Sequence, residues 1–93
     1  MLHRFTLGQI CVTRGVNDRM AVDTPFSLFV WESLKRHSAG DWGDLSLEDK
    51  KENYFSIDKH LRLLSAYQHG DVKIWVITEA DRSVTTILFP AEY

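Results

Sequence analysis

Residues 72–90 read VKIWVITEADRSVTTILFP, two β-rich runs around a polar connection. Val72–Thr78 and Val84–Phe89 both alternate with a period of two and are rich in β-branched residues, as strands require. Glu79-Ala80-Asp81-Arg82-Ser83 joins them. A turn at Asp81-Arg82 sets Trp75 opposite Leu88 and Val76 opposite Ile87. The hairpin then has one apolar face, Ile74, Val76, Ile87 and Phe89. Its other face is mixed: Lys73, Trp75, Ile77, Glu79, Val84, Thr86 and Leu88.

Working backwards, Leu61–Gln68 (LRLLSAYQ) has an ambiguous period, but His69-Gly70 can turn it directly into Val72, so it reads as a third strand. Leu63, Ser65 and Tyr67 then join the apolar face, and Arg62, Leu64 and Ala66 join the mixed one. Ser46 has N-cap chemistry, with Asp49 in the capping-box position. The helix it opens repeats Leu47 and Tyr54 on one face, solvates Glu48–Glu52, and should fade around Phe55–Lys59.

Upstream, Thr24-Pro25 should start a helix, with Thr24 as cap and Pro25 in the first turn. Phe26, Phe29, Val30 and Leu34 form its buried stripe. Lys35, Arg36 and His37 suit its C-terminal dipole, Glu32 and Arg36 are spaced for an ion pair, and Gly40 is its stop. Arg14–Asp23 reads as a loop on its Gly15 and Asn17-Asp18. Phe5–Thr13 reads as a strand in which Gly8 marks a bulge or a close backbone approach. The expected architecture is a two-layer α+β domain spanning residues 1–93. Its order is β-α-α-β-β-β, an antiparallel meander with two helices on one face and the first strand at an edge.

The chain has 93 residues, 44% hydrophobic and 26% charged, with a net charge of −2. That is one soluble-type domain, and the lack of basic excess disfavours nucleic acid as a partner. The one cysteine, Cys11, excludes an internal disulfide, and no Cys/His metal spacing occurs. We therefore expect no metal, no cofactor and a reducing cytoplasm. Cys11 reads as a core residue, since no base or positive charge adjoins it. MLHRFTLGQI has the composition of neither a signal peptide nor a membrane span.

Three groupings carry candidate binding chemistry. Glu79, Asp81 and Arg82 form a charged connection, either a recognition loop or simple turn chemistry with Arg82 on a carboxylate. If it is only a turn, losing Arg82 should cost under about 1 kcal/mol. Asp41 and Trp42, with Asp44, lie near His37, either an acid–base or metal-binding cluster or a helix-end cation beside an aromatic lid. Trp75, Thr86 and Leu88, with Leu64 and Ile77, make an apolar patch on the mixed face, which would be an interface for a protein partner or a homodimer.

Leu7-Gly8-Gln9-Ile10, Gly40-Asp41-Trp42-Gly43, Glu52-Asn53, Arg62–Tyr67 and Trp75–Leu88 together resemble a family of short bacterial proteins of plasmids and other mobile elements. Some members are labelled type I restriction subunit M. That label does not suit 93 residues lacking a Gly-rich strand-to-helix turn. The resemblance implies an accessory protein of a mobile element, working by protein–protein contact, for instance against a host defence system. It implies no catalytic residue. The alternative is an enzyme: the element order is similar to that of the RelE/ParE toxin superfamily, whose nuclease members cut messenger RNA.

Overall fold

The computed structural model describes residues 4–93; Met1–His3, the start of the stretch read above for a signal peptide, lie outside the described residues. The elements are β1 (Gln9–Val12), α1 (Arg14–Val22), α2 (Thr24–Ser38), α3 (Leu47–Lys59), β2 (Leu63–His69), β3 (Val72–Thr78) and β4 (Val84–Leu88), followed by a 3-10 turn, Pro90–Glu92. The sheet order is β1-β4-β3-β2. β2, β3 and β4 form the expected antiparallel meander, and β1 joins β4 in parallel at the edge.

The hairpin register is the one the alternation predicts. Trp75 pairs with Leu88 and Val76 with Ile87, while Ser65 pairs with Val76 and Tyr67 with Ile74. A one-residue slip would have moved every side chain to the opposite face. The apolar face carries the core: Tyr67, Ile74, Val76 and Ile87 pack against Val16 of α1 and Phe26, Val30 and Leu34 of α2.

Several local expectations are corrected. Residues 14–22 are a helix, not a loop. Val16, buried, and Met20, packed on the core one turn later, give α1 its inward face. Its N-terminus contains no acidic residue. Instead Glu92, distant in sequence, accepts from the Gly15 amide at 3.0 Å and from the Thr13 hydroxyl at 2.6 Å. That carboxylate satisfies a free amide and complements the helix dipole.

β1 is also shorter than Phe5–Thr13, because Gly8 has φ of +66° and interrupts the strand. The close approach expected there is present: a Cβ on Gly8 would sit 2.3 Å from the Ser83 carbonyl oxygen.

The cap of α2 is Asp23 rather than Thr24; its Oδ1 accepts from the Phe26 amide at 3.0 Å. Glu32 approaches Lys35, at 4.0 Å, and Arg36 pairs with Asp41 rather than Glu32.

α3 is capped by Ser46, which accepts from the Asp49 amide as expected; among the described residues Asp49 returns no bond to the Ser46 amide, so the capping box is half made. Its buried residues are not the expected Leu47 and Tyr54, which are exposed, but Asn53 and Ser56. The reason is what α3 packs on. It lies along the outer edge of β2, where backbone needs partners. The Asn53 side chain donates to the Leu64 carbonyl at 2.6 Å and accepts from the Leu64 amide at 3.1 Å.

Candidate functional site

The polar connection between β3 and β4 is tied inward. Asp81 Oδ1 accepts from the Ser83 amide and hydroxyl, and these bonds hold its carboxyl below the usual range. Glu79 receives two bonds from the Arg62 guanidinium, at 3.3 and 3.4 Å. Arg82, at a left-handed φ of 61°, meets no carboxylate among the described residues, contrary to the turn expectation. Its guanidinium donates to the carbonyls of Leu61, Glu79 and Ala80 and, from Nη2, to that of Ser56. Arg82 thus binds the C-terminal end of α3 to the turn, where a cation also suits the helix dipole.

The mixed face is more closed than the sequence predicts. Ile77 and Leu88 are each only 5% exposed. Trp75 is half-buried, with the Tyr93 ring edge-on at 5.6 Å. Tyr93 is held in turn by Arg62, which donates to its hydroxyl at 2.7 Å. Thr86 is half-buried between its strand partners Ile77 and Cys11. Cys11 therefore lies half-buried on this face rather than in the core.

His37 is not a helix-end cation. It is fully buried, as are Ser65, Thr78 and Thr85, which form a polar chain with it. The Thr85 hydroxyl donates to the Leu7 carbonyl at 2.7 Å, so its proton is committed. It must accept from Thr78 across 2.7 Å. Thr78 then accepts from His37 Nε2–H at 2.9 Å, which leaves Nδ1 to accept from Ser65. The network runs in one direction and needs the neutral Nε2–H tautomer. Burial, reinforced by the charge of Arg82, lowers the His37 pKa to about 3. Rings of Phe5 and Trp42 close around it at 5.2 and 5.7 Å. A neutral imidazole with both nitrogens satisfied and no solvent path is core architecture rather than an acid–base catalyst.

Trp42 is buried beside it, as a lid residue should be, although its Nε1 has no hydrogen-bond partner among the described residues. Asp41 holds Arg36 through bonds of 2.7 and 3.2 Å and accepts from the Gly43 amide; these contacts keep its carboxyl below the ordinary range. Asp41 and Trp42 are thus adjacent, but one faces solvent and the other the core. Among the described residues no group of three or more His, Cys, Asp or Glu is placed to hold a metal. Among them, too, no helix is long and apolar enough to cross a membrane.

Helical periodicity does not single out the outer side of α2. Leu28 is 65% and Trp31 53% exposed there, three residues apart on one face. With Pro25, Phe29 and His69 they line a shallow depression of about 570 Å³, rimmed by Glu32 and Lys35. The Phe29 and His69 rings, both in its lining, stack at 5.2 Å. The available signal was that α2 carries large apolar residues on both sides, more than one buried stripe needs. Fold and site define a two-layer α+β domain with an exposed aromatic helix face. No protein-family model, curated protein or solved structure matches this chain significantly.

Proposed function

We propose that this chain is a non-enzymatic binding module that docks a protein partner on the outer face of α2. The exposure of Trp31 beside Leu28 carries this reading. Tryptophan in an apolar depression is the residue type that most often dominates a binding interface. The Glu32 and Lys35 rim fits the anatomy of an apolar centre with a charged border. The charged groups first considered for recognition are engaged within the chain: Asp81 with Ser83, Glu79 with Arg62, Asp41 with Arg36. The resemblance to mobile-element proteins supports an accessory role in a bacterial cytoplasm, directed at a host protein.

A ribonuclease reading finds less support. Of the cations on the mixed face, Arg62 is taken up by Glu79 and Tyr93, which leaves Lys73. The deciding experiment is co-purification from host lysate of the wild type against Trp31→Glu, with labelled RNA incubated in parallel. A partner held by the wild type and lost from an equally stable Trp31→Glu supports the proposal. Equal capture by both proteins, or RNA cleavage, would end it.

A further inference from the structure

The two edges of the sheet are finished differently. On β2, Asn53 occupies the amide and carbonyl of Leu64. The next outward-facing residue, Ala66, accepts from the Asp44 amide at 2.7 Å and donates to the Trp42 carbonyl at 3.3 Å. On β1, the Gln9 amide donates to Ser83 and the Thr13 amide to Ile87, both across to β4. Alternation then turns the amides and carbonyls of Ile10 and Val12 outward. Among the described residues nothing pairs with them. Ile10 is 42% exposed on this edge. From Gln9 to Thr13 there is no charge, proline or bulge of the kind that protects free edges.

We propose that β1 pairs antiparallel with β1 of a second copy, across a two-fold axis at Cys11, joining two four-stranded sheets into one. An uncharged strand meets its own copy without like-charge repulsion. Geometry also selects the register. Outward groups face each other when Ile10 meets Ile10, Ile10 meets Val12, or Val12 meets Val12. Only the middle register makes two hydrogen-bonded pairs. In the others the second pair falls on Gly8, outside the strand at φ +66°, or on Arg14, already helical. The middle register packs Ile10 against Val12 of the second copy on the helical side. It places the two Cys11 residues as a non-hydrogen-bonded pair with Cα atoms about 4.5 Å apart. That spacing lies within the range a disulfide spans.

Cys11 thus serves as the reporter in the test. Full-length protein at high micromolar concentration in reducing buffer should sediment at twice the mass of one chain. Ile10→Lys, at an exposed edge position, should sediment as a monomer and melt like the wild type at dilutions where the wild type is also monomeric. Diamide, which takes up the two thiol hydrogens, should convert the wild type to a covalent dimer. Ile10→Lys and Cys11→Ser should stay uncrosslinked. Amide exchange at Ile10 and Val12 should slow as the wild type is concentrated, a readout that does not depend on any variant folding. A wild type that stays monomeric, a dimer with unprotected Ile10 and Val12 amides, or a dimer broken by Trp31→Glu but not by Ile10→Lys would overturn the proposal.

Discussion

Arg82 Nη2 donates to the Ser56 carbonyl across 3.0 Å, binding a hairpin turn to the end of a helix 26 residues away. The same guanidinium reaches the Leu61, Glu79 and Ala80 carbonyls, so its loss strands several acceptors at once. Charged hydrogen bonds contribute roughly 1.5–3 kcal/mol, and some of these carbonyls would find water in the variant. Arg82→Ala should therefore cost about 2–3 kcal/mol, more than the sequence-based expectation of a free turn residue. Because φ is 61°, Arg82→Gly should be milder than Arg82→Ala by up to about 1 kcal/mol. Urea melts of both variants decide it: an Arg82→Ala indistinguishable from wild type would mean these bonds contribute nothing net.

The buried imidazole should make stability depend on pH. The folded pKa of His37, about 3, lies below the unfolded value near 6.5. As pH falls below about 6.5 the unfolded chain takes up a proton that the native state refuses. The stabilisation is complete above that pH and is lost on the way down to about 3. The slope approaches about 1.4 kcal/mol per pH unit. Asp23, Asp41, Asp81 and Glu92 are also lowered in the native state, but they begin to act only within about one unit above their ordinary values of 3.8 to 4.5. The interval from about pH 6.5 to 5.5 therefore belongs to His37. Denaturant melts across it should show the fall in wild type and not in His37→Gln. Nitrogen shifts that do not report a neutral Nε2–H imidazole at pH 6 would contradict the network.

Ile74 and Val76 are fully buried under α1 and α2. Truncating either to alanine should cost on the order of 2–4 kcal/mol, with the larger loss at Ile74 because more volume is removed. A smaller loss at both than at Arg82→Ala would place the weight of the fold on its polar ties rather than on its core.

These cases show what could be read from residues and what could not. The register was legible because alternation in two adjacent strands, joined by a short polar connection, leaves one arrangement that buries Ile74, Val76 and Ile87 together. α1 was not legible, because the carboxylate at its N-terminus comes from Glu92, at the other end of the chain. His37 was misread for a related reason. Its place in the last turn of α2 fits a solvated cation, and only the sheet brings Ser65 and Thr78 to its nitrogens. At the candidate site, Trp75 and Leu88 were placed as neighbours, but the Tyr93 ring leaning on Trp75 was not foreseen. Trp31 was passed over because an outward aromatic leaves no mark on a search for buried stripes.

Asn53 offers the sharpest test of how the β2 edge is closed. Its amide presents one donor and one acceptor to Leu64, as a neighbouring strand would. Asn53→Asp keeps the size and the acceptor but replaces the donor with a carboxylate oxygen facing the Leu64 carbonyl. That exchange leaves a buried acceptor unpaired and adds a repulsive contact, for a loss of about 2 kcal/mol or more. Asn53→Ala removes both bonds but leaves room for water, and should cost about 1–2 kcal/mol. The order of harm is therefore Asp above Ala, although Asp is closer to Asn in size. Asn53→Ala, which removes the acceptor of the Leu64 amide, should also raise amide exchange at Leu64 well above that at its inner neighbours Leu63 and Ser65, which bond to β3. Melts in the opposite order, or unchanged protection at Leu64, would show that α3 covers this edge by packing alone and that the side-chain amide is incidental.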